Sequence, residues 1–107
     1  KETTELACAL IKKESVTPDD AGCQPLVAGE LEALGFETEW LPRGEVSNVL
    51  FTHGSDSSGP SLWFLGHTDV VPIDGQDWAS DPWAVVEKDG KLFGRGTCDM
   101  KHSSPWR

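Results

Sequence analysis

The sequence predicts an α/β domain of two or three layers. Three observations carry this. Apolar residues recur at helical spacing through the first third of the chain, strand-like runs follow from residue 36 onward, and an Asp-Gly hairpin signal lies near the end. The order is two helices, then strands, and the pattern reads as unfinished at residue 107.

Residues 4–13 form the first expected helix. Leu6 and Leu10 share one face and Ala7 and Ile11 another, while Glu5, Lys12 and Lys13 point outward. Ser15 to Asp20 reads as a break followed by a helix start. Thr17 serves as N-cap, Pro18 takes the first helical position, and Asp19 and Asp20 complement the positive helix end. This second helix runs to Leu34 along a stripe of Cys23, Val27, Leu31 and Leu34, with Gly35 as its C′ residue. Pro25 removes a backbone donor and is expected to confine regular helix to its C-terminal side.

Phe36 to Leu41 alternates as a half-exposed strand, and Pro42-Arg43-Gly44 turns the chain into a second strand, Ser47 to Thr52. Gly54 to Pro60 is a solvated turn. Leu62-Trp63-Phe64-Leu65 is an uninterrupted apolar run, the pattern of a strand covered on both faces. Val85 to Lys88 and Lys91 to Phe93 flank Asp89-Gly90 as a two-residue hairpin.

The chain has 107 residues and a formal net charge of −9, from 9 basic and 18 acidic side chains. Such acidity argues against nucleic acid as a partner and against an anionic membrane surface, since both require clustered Lys and Arg. No apolar run approaches the ~20 residues of a spanning helix. The polar N-terminus carries no signal-peptide core, so a cytoplasmic location is expected. Three widely spaced cysteines, Cys8, Cys23 and Cys98, fit free and mostly buried thiols.

Two stretches could carry chemistry. In the first, the apolar run ends in Gly66, and His67 and Asp69 emerge at the C-terminal strand edge, where α/β sheets bind ligands. Residues i and i+2 of an extended chain leave on the same side. A carboxylate beside an imidazole fixes its tautomer and raises its basicity, an arrangement common behind metal-bound histidines. By itself, a His-x-Asp more often means a surface hydrogen bond. In the second stretch, Gly94-Arg95-Gly96 follows a strand and leads to Asp99. It lacks the other elements of a phosphate loop. It reads either as a tight turn with a capping Asp or as a loop that returns Asp99 to the His67 edge, where a carboxylate can bridge two metal ions. His53 and His102 read as solvated, and Trp63, Trp78 and Trp83 as packing residues.

"GHTDVVP" at 66–72, Trp78, "DPW" at 81–83 and "DGKLFGRGTCDMK" at 89–101 together resemble the opening of the co-catalytic zinc amidohydrolases and peptidases. Within that family, "SVTPDDAGCQ" at 15–24 and the helix ending in "LGF" are most similar to the succinyl-diaminopimelate desuccinylase branch; acetylornithine deacetylase and other N-acyl amino acid hydrolases are the alternative. The resemblance implies a zinc-peptidase-like catalytic domain with a mixed sheet flanked by helices, of which residues 1–107 are the N-terminal portion. It implies two zinc ions (cobalt as a substitute), a small N-acyl amino acid substrate, and a homodimer formed through a domain outside these residues. His67 would bind one metal, Asp99 would bridge both, and Asp69 would be the catalytic non-ligand aspartate that orients the machinery. The peptide after Asp99 would be cis. The family's Glu-Glu pair and last histidine ligand have no counterpart here, so the chain alone is expected to be inactive, and a non-catalytic binding module is the reading from another class. Residues 102–107 depart from the family pattern, with Pro105 where a helix is expected, as an out-of-frame tail would.

Overall fold

A computed structural model describes residues 2–54 and 58–101. Helix α1 spans Glu2–Ile11 and α2 spans Cys23–Glu32. Strands β1 (Glu37–Trp40) and β2 (Val49–Thr52) form one antiparallel pair, and β3 (Val86–Lys88) and β4 (Lys91–Phe93) form another. This is the content of a partial α/β domain. Parallel pairing among the described residues is confined to one bridge, Val16 to Val70.

Helix α1 buries Ala7, Leu10 and Ile11, the i, i+3, i+4 face that its spacing predicts. The chain just past its end is held from a distance, because the buried Lys101 donates from Nζ to the carbonyl of Lys13 at 2.8 Å. A cation there complements the negative helix end.

The second helix begins five residues later than Pro18. Thr17 is not its N-cap, because the Thr17 N–H donates to the Val70 carbonyl (3.1 Å) and its hydroxyl turns toward Asp69 (2.5 Å). Committed to the 68–70 segment, Thr17 cannot open a helix. The Thr17–Pro18 peptide is cis. The N-cap is Gly22, in the left-handed region at φ 86°. Asp20 supplies the capping instead: its Oδ2 accepts the Gln24 N–H at 2.7 Å and its carbonyl accepts that of Cys23. Pro25 lies inside α2 rather than before it, as the third residue. It costs no hydrogen bond there, since the first four N–H groups of a helix have no internal partner. At the other end, Gly35 (φ 92°) donates to Glu32 and Phe36 donates to Leu31, a Schellman closure with glycine at C′. Along the expected stripe Cys23 is buried and Val27 and Leu31 half-buried, while Leu34 remains exposed.

The β1–β2 ladder pairs Glu37 with Thr52 through Trp40 with Val49. Helix α2 lies against it, held by a reciprocal pair in which Gln24 Nε2 donates to the Ser47 carbonyl and Ser47 Oγ donates to Gln24 Oε1. The β3–β4 hairpin turns through Asp89 (φ 54°) and Gly90 (φ 71°), the two positive angles of a type I′ turn.

Leu62–Leu65 departs from expectation. No strand forms over 61–69, and the four side chains are 81, 70, 65 and 90% exposed. An apolar run needs layers on both sides to be buried, and the described residues place none there. Trp63 is therefore surface rather than core. Of the three free thiols only Cys23 is buried; Cys8 is half-buried and Cys98 exposed.

Candidate metal centre

Residues 68–70 are ordered by the segment 15–20. The Val70 N–H donates to the Ser15 carbonyl (2.8 Å), Ser15 Oγ to the Thr68 carbonyl (2.7 Å), and Thr68 Oγ1 to Asp20 Oδ1 (2.5 Å). Val70 itself is buried. This lacing fixes the chain just past His67.

The turn 94–101 approaches from the other side. Arg95 spans the gap: its Nη2 donates to the Pro72 carbonyl (3.2 Å) and to Gln76 Oε1, and its guanidinium lies 5.0 Å from the centre of the Trp78 ring. Gly94 and Gly96 permit close packing rather than phosphate binding. A Cβ on Gly94 would lie 3.0 Å from Ile11 Cγ2, and one on Gly96 3.0 Å from both Lys101 Cδ and Val70 Cγ1. Met100 reaches back so that the His67 N–H points at its sulfur, 3.4 Å away. The Asp99–Met100 peptide is cis, as the family resemblance implies.

These contacts bring the three expected site residues together. His67 Nε2 lies 3.1 Å from Asp99 Oδ1. On the opposite ring edge, His67 Nδ1 lies 3.1 Å from the Asp69 carbonyl and 3.2 Å from Asp69 Oδ1. Asp69 accepts the Thr17 hydroxyl on its other oxygen, Oδ2. Every oxygen facing the ring is an acceptor only. A neutral imidazole has one N–H, which can satisfy one edge but not both. With the proton on Nδ1, held by two Asp69 oxygens, Nε2 presents a lone pair to a carboxylate oxygen. A cation between Nε2 and Asp99 removes that conflict, and the donor set fits one: an imidazole nitrogen, a carboxylate with 85% of its side chain exposed, and an aspartate behind the ring. It is two ligands of a site that ordinarily needs three or four. Among the described residues no group of three or more His, Cys, Asp or Glu side chains could hold a metal ion.

Residues 63–104 match the model of peptidase family M20/M25/M40. His67, Asp69 and Asp99 all lie within that M20 stretch. The chain is 55% identical over 100 residues to a succinyl-diaminopimelate desuccinylase of Xanthomonas campestris pv. campestris, a match covering 92% of this chain and 26% of the relative. It is 52% identical over 100 residues to the desuccinylase of Stenotrophomonas maltophilia, with the same coverage. Over 103 residues it is 50% identical to that of Xylella fastidiosa, covering 95% of this chain and 27% of the relative. The chain thus spans about a quarter of the length of the curated relatives it matches. No helix among the described residues is long and apolar enough to cross a membrane.

Sequence reading did not single out Thr17, Ser15 or Asp20 as supports of this centre. The pattern Ser15-Val16-Thr17-Pro18-Asp19-Asp20 is also that of a break and helix start, and only the long-range pairing with 68–70 separates the two uses. His102 lies outside the described residues.

Proposed function

We propose that this chain supplies the first part of a co-catalytic zinc site for amide hydrolysis, with N-succinyl-LL-diaminopimelate as substrate and succinate and diaminopimelate as products. The observation that carries this is the facing of His67 Nε2 and Asp99 Oδ1 at 3.1 Å, inside the stretch that matches the M20 model. His67 and Asp99 would hold the metal. Asp69 accepts the Nδ1 proton and aims the imidazole. A bound metal pair lowers the pKa of water and polarises the amide carbonyl. The substrate follows the names of the relatives, and acetylornithine deacetylation is the competing activity.

Two donors hold a metal ion weakly. The 107-residue chain alone therefore binds zinc weakly and does not turn over substrate. The deciding experiment places this chain in the Xanthomonas campestris relative, in place of the matching 100 residues. The chimera releases succinate from N-succinyl-LL-diaminopimelate, and His67→Ala or Asp99→Asn abolishes it. Release of acetate from N-acetylornithine instead selects the competing activity. A folded chimera inert toward both, beside an active parent, sinks the reading.

A further inference from the structure

His67 has two competing tautomers. A proton on Nδ1 is held by Asp69, and a proton on Nε2 is held by Asp99, at closely similar distances of 3.1–3.2 Å. Only the first leaves the Nε2 lone pair free for a ligand. The Asp69 carbonyl is fixed with the main chain, so the variable part of the balance is the Asp69 carboxylate, which is itself 38% exposed and not held by packing alone.

Thr17 supplies the missing constraint. Its hydroxyl has one proton and two acceptors within reach, Asp69 Oδ2 at 2.5 Å and the Val70 carbonyl at 3.3 Å. The charged acceptor at the shorter distance takes it. That leaves Asp69 Oδ1 turned to the imidazole. Thr17 is well placed to hold a direction. It is β-branched and stiff at χ1, its N–H is tied to the Val70 carbonyl, and its neighbours Ser15 and Asp20 are tied to Thr68. The residue lies 52 positions from Asp69 and outside the M20-matched stretch.

We propose that Thr17 is a positioning residue of the metal centre, whose hydroxyl fixes the Asp69 carboxylate and thereby sets the tautomer in which His67 presents Nε2 to a cation. This rests on the reading of His67 and Asp99 as metal ligands. Thr17 touches neither metal nor substrate and acts through Asp69.

The test compares wild type, Thr17→Val and Thr17→Ser in the full 107-residue chain. The readout is the ring-nitrogen NMR shifts of His67, without metal and at a pH where the imidazole is neutral. Wild type and Thr17→Ser show the Nδ1–H pattern, and Thr17→Val shifts toward Nε2–H. Titration with cobalt(II) alone then shows affinity about tenfold weaker in Thr17→Val and restored in Thr17→Ser. Should valine disturb packing, Thr17→Ala makes the same comparison with a smaller side chain. A His67 pattern unchanged by loss of the hydroxyl overturns the proposal, as does a serine variant that behaves like the valine one. Failure of the metal reading looks different: cobalt binding is then indifferent to His67→Ala, while the tautomer shift in Thr17→Val persists.

Discussion

His67 Nε2 faces Asp99 Oδ1 at 3.1 Å across 32 positions of sequence, with a second aspartate on the far edge of the ring. A neutral imidazole between two carboxylates has one N–H for two acceptor edges, and a shared cation would satisfy the second. This single pairing converts two loops into one electrostatic unit.

Removing either partner should weaken metal binding. His67→Ala and Asp99→Asn are each expected to lower cobalt(II) or zinc affinity by at least ~10-fold, measured by calorimetric or absorbance titration. His53→Ala is the control, because His53 is exposed and its ring lies tilted, 4.9 Å from that of Phe36, in a different part of the fold. Equal losses in all three variants would remove His67 and Asp99 from the site.

The thiols should separate by accessibility. Cys98 is exposed and reacts promptly with a soluble maleimide, and Cys8, half-buried, follows more slowly. Cys23 has no exposed surface, and burial raises its pKa above the ordinary thiol value, so it stays unlabelled until the chain unfolds. Peptide mass mapping over time reads the order directly.

Stability at alkaline pH should reflect two buried groups of opposite sign. Burial raises the Cys23 pKa in the folded state. Above pH 9.0, its ordinary value, the unfolded thiol loses its proton first, so this group's contribution falls as pH rises. Burial lowers the Lys101 pKa. Below pH 10.5, its ordinary value, the unfolded chain binds more protons there, so this contribution rises with pH through the window between the folded and unfolded values. Lys101→Met removes the rising part, and with it a positive charge that holds the Cys23 pKa down, so both changes steepen the fall. Its urea midpoint should drop more steeply above pH 9.0 than that of wild type; parallel curves would show that Lys101 titrates as it does in the unfolded chain.

Gly96→Ala tests the close approach under Asp99. Gly96 has φ 89°, and a methyl there meets Lys101 and Val70 at 3.0 Å. Left-handed strain and overpacking together should cost about 2 kcal/mol, read from chemical denaturation. Gly90→Ala has the strain without the crowding, since nothing lies within 4 Å, and should cost less.

The legible parts of this fold were those decided within a few residues. The α1 face, the Gly35 closure and the Asp89-Gly90 hairpin each depend on short-range spacing and backbone preference, and each forms as the sequence indicates. The meeting of His67, Asp69 and Asp99 was foreseen from two motifs and the family they resemble. What local reading missed was decided across 48 to 53 positions. Thr17 and Asp20 have the chemistry of helix initiators, but pairing with residues 68–70 takes Thr17 out of the helix and leaves Asp20 to serve both roles. Leu62–Leu65 carried the opposite lesson. Its composition specifies burial, but burial requires covering layers that a pattern of four residues cannot specify.

That apolar row runs without interruption into Gly66 and His67, so the chain that enters the site is the chain that lacks cover. Covering the row would fix the direction from which His67 arrives, and a cation held by His67 and Asp99 would in turn fix the row. Coupling of this kind would be reciprocal, each event strengthening the other by the same factor. A metal ion held by His67 and Asp99 would thus act as a folding ligand as well as a chemical one, and a surface closing over Leu62–Leu65 would be, thermodynamically, an activator of metal uptake.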